Sequence, residues 1–464
     1  LPPAPAPRAA GGADEIMKIL GDKSLEGARV AIVIRDLDAR KTIFELNPGG
    51  AFIPASNMKL VTAAGALLGL GLSWRFHTDV FVDGTASEEG VVKNLYVLGR
   101  GDPTLSGKFS ASDGDAIRGL AGETVRLGVR EITGDIVLDD TYFPPQGHPS
   151  SWQREDTAYC YAPLTGALSI AGNCLRGTVR APKSGKAVEV ETNVPLDPAL
   201  VKTRVVRVWR GASSVRVTEE ADGSFLLSGK VRVGGSAEFE HPVKNPDLFF
   251  GNALAAGLEE RGVAFRGKVI RESEFDGDLH AFKRLFRASS PELTAIIEEM
   301  ERESDNFAAE QLLRTIGAVR GEAGSTSAGA EATVALLEKY KIAPPGTLTI
   351  DDGSGLSRRN ALAPQVLTNV LEKFYHSFVG DTFMESLAAP GAKGTLRNRL
   401  VGTAAEGNLW AKTGAIRGAC SLSGYYRRKN GGFGSFVMLF NGYKVHSSHI
   451  RGVQDRIVKV MMEM

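Results

Sequence analysis

Cysteine is scarce: Cys160, Cys174 and Cys420 are the three in a chain of 464 residues. That excludes a small scaffold held by disulfides, and isolated cysteines are ordinarily small buried apolar residues. Cys160 and Cys174 can pair, leaving Cys420 over; the sequence does not decide it. An excess of one charge is also missing. Basic residues number 55 and acidic ones 54, a formal +1. No basic excess points to nucleic acid, and no polybasic cluster to a membrane surface. No apolar run approaches the roughly 20 residues that span a bilayer; the apolar face from Leu60 to Leu72 contains glycines and suits a core helix. The start, Leu1-Pro-Pro-Ala-Pro-Ala-Pro-Arg8, lacks the charged opening and apolar stretch of a signal peptide. It reads as a processed or trimmed terminus, with a flexible arm over residues 1–12. A His-Glu-x-x-His pair, a phosphate-cradling loop and a Gly-x-Ser-x-Gly elbow are absent too. His446 and His449 have metal-like spacing but no third ligand beside them, so neither metal nor cofactor is expected.

Three short motifs stand in one order: Ser56-Asn57-Met58-Lys59, Ser304-Asp305-Asn306 and Lys412-Thr413-Gly414. A lysine three residues after a serine shares its helix face, so the amine can reach the hydroxyl and activate it without histidine. Ser56 is the one serine in the chain with lysine at that spacing. The second motif adds a hydroxyl and an amide; the third adds a cation, a hydroxyl and a glycine on a strand-like segment. Lys183-Ser184-Gly185 also fits the third pattern, but it precedes Ser304 and reads as a turn. Gly353-Ser354-Gly355 has no base at fixed spacing and reads as a tight turn shaping a cleft.

Hydrophobic residues make up 43% of the chain, enough for a large core. A helix is expected near Asp14–Leu20, then a hairpin of Ala31–Ile34 and Thr42–Glu45. From Ser56 to Leu70 the apolar residues recur at helical spacing, which puts Ser56 at a helix N-terminus where the dipole favours negative charge. From 73 to 284 the texture changes to short strand-like runs between turns, an insertion of two subdomains. Helices return at Ser290-Pro291-Glu292, where Ser290 is the expected N-cap. Ser304 falls on the joint between this helix and the next, Phe307–Val319. Leu409–Ala415 alternates like a strand, Ser421–Tyr426 and Gly434–Phe440 form a hairpin, and an amphipathic helix closes the chain. Residues 13–72 and 285–464 are thus expected to form one α/β domain, an antiparallel sheet flanked by helices and interrupted by a mostly β insertion.

The motif trio is the signature of serine β-lactamases and penicillin-binding proteins. With the long stretch between Ser56 and Ser304, the chain resembles the low-molecular-mass class C penicillin-binding proteins. These are D-alanyl-D-alanine carboxypeptidases/endopeptidases of the penicillin-binding protein 4 (DacB) type, peptidase family S13. Gly101–Leu105, Asp139–Phe143 and Asp352–Arg358 look similar as well. The resemblance implies a serine D,D-peptidase acting on peptidoglycan stem peptides, inhibited covalently by β-lactams, at a periplasmic or extracytoplasmic address. On chemical grounds Ser56 would be the nucleophile, Lys59 its base, Ser304 a proton relay and Asn306 a holder of Lys59 or of the substrate amide. Lys412 and Thr413 would bind the terminal carboxylate, with Gly414 beside them. The resemblance adds the Ala415 N–H as partner of the Ser56 N–H in an oxyanion hole, and Asp140 and Arg358 as a pocket for a charged stem-peptide side chain. The alternatives are a β-lactamase or esterase on the same fold, and a β-lactam sensor that does not turn over.

Overall fold

The computed structural model describes residues 11–83, 87–184, 187–274, 282–429 and 431–464. Residues 1–10 of the expected arm, Gly185 of the second Lys-Ser-Gly and Asn430 of the last hairpin turn lie outside them. Gly12, placed in the arm by its composition, instead opens the helix Gly12–Leu20. The described residues fall into two compact units. One comprises the chain up to Trp74, the short segment Pro149–Trp152 and Glu292–Met464; the other comprises Arg75–His148 and Gln153–Pro291.

The first unit is built on a five-stranded antiparallel sheet. Its order is Leu409–Ile416, Ala419–Arg427, Phe433–Asn441, Arg29–Asp36 and Lys41–Leu46. The early hairpin joins the late strands with Val33 opposite Val437. Ala31 to Ile34 are buried without alternation, because helices cover both faces of the sheet and both sets of side chains need apolar surroundings. On one face the terminal helices Gly12–Leu20 and Ser447–Glu463 bring Ile16, Ile457 and Met461 into one core with Ile32, Leu422 and Met438. Pro364–Tyr375 packs on the central strands, and its Leu371 carbonyl accepts from the Tyr425 hydroxyl at 2.8 Å. Met58–Gly69 and Asn306–Arg320 pack against each other in the same unit. The α/β architecture expected for this part is what the chain adopts.

The helix after the insertion, Leu293–Glu303, has Glu292 and not Ser290 at its N-cap position. The Ser290 hydroxyl accepts from the Phe76 N–H at 2.9 Å; a tertiary partner has taken the oxygen that local sequence assigned to a cap. The second unit contains a mixed five-stranded sheet, Val269–Arg271, Ile136–Asp139, Leu95–Leu98, His77–Val82 and Lys283–Ser289, and three three-stranded sheets. It also holds two helices that strand-like runs alone did not disclose, Asp113–Arg126 and Pro246–Glu259. They pack on each other, and both contribute to the unit's apolar core, as Ile117 and Phe250 show. Cys160 and Cys174 are disulfide-bonded in this unit. Among the described residues no helix is long and apolar enough to cross a membrane.

Candidate active site

All three motifs lie in the first unit. Ser56 occupies a single 3-10 turn, Ala55–Asn57, that runs directly into the α-helix Met58–Gly69. Ala55 holds φ at +48°, a left-handed conformation that costs an alanine roughly 1–2 kcal/mol. Three side-chain hydrogen bonds hold the turn in place. Asn57 donates through Nδ2 to the Lys412 carbonyl at 2.9 Å, while the Ser423 hydroxyl donates to Asn57 Oδ1 at 2.6 Å. The Ser421 hydroxyl donates to the Pro54 carbonyl at 2.7 Å. The turn is therefore fastened to the edge strand Leu409–Ile416 and its neighbour.

Two glycines allow that closeness. A Cβ on Gly414 would lie 2.9 Å from the Ser56 nitrogen and 2.2 Å from Ser421 Oγ. A Cβ on Gly355, itself at φ +86°, would lie 1.9 Å from the Ala55 carbonyl oxygen. The glycine of the third motif and the Gly353-Ser354-Gly355 loop thus meet the Ser56 turn from different directions, and any side chain at either position would push them away.

Lys59 is fully buried. Its Nζ lies 3.4 Å from Ser56 Oγ, 2.6 Å from Asn306 Oδ1 and 2.6 Å from the Ser354 carbonyl oxygen. The last two groups can only accept. A neutral amine has two N–H bonds and one lone pair; with both N–H bonds donated to those oxygens, the lone pair is left for the Ser56 hydroxyl. Burial pulls the Lys59 pKa down to about 8, against the nearby Glu301, Asp352, Glu310 and Asp305, which favour its charged form.

Lys412 is equally buried, and among the described residues its Nζ has no hydrogen-bond partner. Burial pushes it down to about 7; Glu301 opposes that, and the charge of Lys59 adds to it. Ser304 sits at φ +61°, between the helices Leu293–Glu303 and Asn306–Arg320. Asp305 caps the second of these, accepting from the Ala308 N–H at 3.3 Å. The left-handed residue is what turns the chain between two helices so that Asn306 starts the second one beside Lys59. Ser56, Ser304, Thr395, Thr413, Gly414 and Ala415 line one cavity of about 490 Å³, and the Thr413 and Thr395 hydroxyls are 2.9 Å apart.

Behind the loop, Asp352 accepts from Trp152 Nε1 at 2.8 Å, Asn360 Nδ2 at 2.6 Å, and the N–H groups of Gly355 and Ser357 at 2.8 and 2.6 Å. Glu310 accepts from the Ser354 N–H at 2.8 Å, and burial followed by the charge of Asp352 raises its carboxyl to about 8. The short segment Pro149–Trp152 therefore belongs to the first unit for a physical reason: its indole supplies a donor to a buried carboxylate.

The residues expected from the motifs converge. Ser56, Lys59 and Asn306 are in direct contact, and Ser304, Thr413, Gly414 and Ala415 line the cavity with Ser56. Arg358 is exposed in the first unit. Asp140 is in the second unit, partly buried, where burial and then Asp247 raise its carboxyl to about 6 while Arg271 lowers it. Lys183, of the competing motif, is exposed and also in the second unit. Four contributors were not foreseen: Asn57, Glu310, Asp352 and the main-chain oxygen of Ser354. Glu310 had a legible signal, one helical turn after Asn306 and on its face. The Ser354 carbonyl had none, since backbone carries no residue-type information.

A family model described as the D-Ala-D-Ala carboxypeptidase 3 (S13) family matches residues 13–464. A D-alanyl-D-alanine carboxypeptidase of Actinomadura sp. (strain R39) is 32% identical over 448 residues, covering 93% of this chain and 81% of the relative. The D-alanyl-D-alanine carboxypeptidase DacB of Haemophilus influenzae is 27% identical over 436 residues, covering 91% and 88%. A crystal structure of H. influenzae penicillin binding protein 4 (dacB) superposes with a TM-score of 0.78 at 25% identity, covering 96% of this chain and 98% of that one. The chain belongs to the S13 family.

Proposed function

From that membership we propose that the protein is a serine D,D-peptidase, a D-alanyl-D-alanine carboxypeptidase and/or endopeptidase that cleaves peptidoglycan stem peptides and is acylated by β-lactams on Ser56. The observation that carries the proposal is Lys59 Nζ, whose two carbonyl contacts leave its lone pair to the Ser56 hydroxyl.

The chemistry follows from the placements. Neutral Lys59 takes the Ser56 proton as Oγ bonds to the carbonyl carbon of a D-alanyl peptide. The oxyanion that forms is met by the Ser56 and Ala415 N–H groups. Collapse breaks the C–N bond, Ser304 passes a proton to the leaving amine, and water then hydrolyses the acyl-enzyme. Lys412 and Thr413 hold the substrate carboxylate. A carboxylate at Lys412 fixes a proton there, and that cation in turn favours the neutral form of Lys59. The base is thereby made ready by the substrate it serves. Arg358, exposed in the first unit, is proposed by resemblance to meet a charge on the side chain of the stem peptide's third residue. The disulfide Cys160–Cys174 supports an extracytoplasmic address, since such bonds persist in oxidising compartments.

The test is to mix the protein with a fluorescent penicillin and, separately, with a muropeptide mixture. A D,D-peptidase becomes labelled, loses the label slowly and trims the peptides. Label that never accumulates would point to a β-lactamase, and label without trimming to a sensor; either result overturns the proposal.

A further inference from the structure

The helix Leu293–Glu303 presents an apolar row to the core of the first unit: Leu293, Ile297 and then, one further turn on, Glu301. The position is one that leucine would fill at no electrostatic cost. Glu301 is 0% exposed, and among the described residues neither of its carboxylate oxygens has a hydrogen-bond partner. Leaving an ionisable group so placed costs several kcal/mol in general, so the carboxyl calls for a role beyond packing. Its surroundings supply one. The charges that act on it are those of Lys412, on the strand Leu409–Ile416, and Lys59, on the helix Met58–Gly69. Both lysines are fully buried, and Lys412 Nζ has no hydrogen-bond partner among the described residues.

Other carboxyls act on one lysine each: Asp352, Glu310 and Asp305 on Lys59, and Glu303 on Lys412. Glu310, on Asn306–Arg320, accepts from the Ser354 N–H, and Arg314 on the same helix donates to the Gly324 carbonyl. Arg302 pairs with Glu298, and Lys393 with Glu299. Glu303 acts on Lys412 from the cavity side. Asp381 and Glu385, on the short helix Gly380–Glu385 that packs beside, are exposed.

We propose that Glu301 is a positioning residue for the acylation reaction, the shared counter-charge that keeps a proton available to the Lys59–Lys412 pair inside the buried site. The inference rests on the assignment of Ser56 and Lys59 made above. Two buried ammonium groups repel each other and both are disfavoured by desolvation. One carboxylate acting on both offsets both penalties, so that one lysine stays charged to hold a substrate carboxylate while the other serves as base. Burial pushes Glu301 itself up to about 7, against the pull of Lys412 and then Lys59, which places its own titration within the working range of the pair.

The sign of the effect can be worked out. Acylation needs Lys59 neutral, so its rate rises with pH through that group's pKa; it needs Lys412 charged, so it falls as that proton leaves. The limbs belong to the coupled pair. Glu301 favours the charged form of both lysines, so removing its charge lowers both pKa values. The whole profile should move toward acid, by about one pH unit.

The experiment measures the second-order acylation rate of wild type, Glu301→Gln and Glu301→Leu with a chromogenic β-lactam from pH 5 to 10, together with thermal unfolding. The expected result is a profile shifted to lower pH in both variants, with slower acylation than wild type on the alkaline side and relatively faster on the acid side, and with Tm unchanged or raised. Profiles that superpose on wild type, whatever the Tm, would show a carboxyl that is only a structural liability and would overturn the proposal. Failure of both variants to fold would make it a packing element and overturn it equally. If wild type itself is not acylated, the assignment of Ser56 and Lys59 fails instead, so the two failures are distinguishable.

Discussion

In the proposed reaction the Ser56 hydroxyl is activated through contacts of Lys59 no more than 3.4 Å long, and the residue-scale consequences are direct. Ser56→Ala removes the serine hydroxyl that lies 3.4 Å from Lys59 Nζ; covalent penicillin labelling should vanish while the thermal transition stays put. Label that persists and maps by mass spectrometry to another serine, Ser184 or Ser354 for instance, would refute the assignment. Lys412→Ala removes a buried amine from the strand to which the Ser56 turn is fastened, and should slow acylation by roughly 10²-fold or more, the scale seen when a preorganised electrostatic group is deleted. Lys183→Ala, at an exposed position, should leave the rate within a factor of two or so, as surface substitutions away from a site do. Equal losses for the two lysines would show that the effect is structural.

At the scale of elements, the site is a matter of how closely three segments approach. The 3-10 turn at Ser56, the strand Leu409–Ile416 and the loop around Ser354 meet with no room for a β-carbon at Gly414 or Gly355. Gly414→Ala should force the strand off the turn. Acylation is then expected to fall on the order of 10²-fold, as a misplacement near 1 Å does, while stability drops by only about 1–3 kcal/mol, the usual cost of overpacking. Stopped-flow acylation and denaturant titration measure the two separately; a variant that loses stability but acylates at the wild-type rate would show that the close approach is not needed for reaction. The same approach explains why Ser304 tolerates a left-handed backbone: a helix continued through it would carry Asn306 away from Lys59.

For the molecule as a whole, the two units carry different burdens. The motifs and the cavity are in the first, whereas the disulfide Cys160–Cys174 closes a loop of 14 residues in the second. Replacing both cysteines by alanine should lower the stability of the second unit by about 3 kcal/mol, the loop-closure value for that length. Because Ser56 and its partners lie in the other unit, the extent of β-lactam labelling below the unfolding temperature should not change. Calorimetry alongside a labelling assay tests this; loss of labelling in a protein that is still folded would show that the second unit supports the site.

Much of this was legible in the chain. The Ser56/Lys59 pair follows from helical periodicity, because residues three apart share a face whatever they pack against. The hairpins of the sheet and the helix-joint position of Ser304 likewise come from local pattern and local turn chemistry. What local pattern cannot encode is which distant group a side chain meets. Ser290 looked like a helix cap until the Phe76 N–H took its oxygen. The two helices of the second unit were hidden among strand-like runs because their burial depends on each other. The pairing of Cys160 with Cys174, the carbonyl of Ser354 on Lys59 and the indole of Trp152 on Asp352 all arise from chain segments brought together by tertiary packing. Glu301 shows the division most clearly: in sequence it is one acid in an acidic turn, and only burial beside two lysines turns its charge into a property of the site. Sequence by itself determined which groups could react, since residue type and short-range spacing carry that chemistry. Tertiary structure decided their protonation and reach, since both depend on desolvation and on partners far away along the chain.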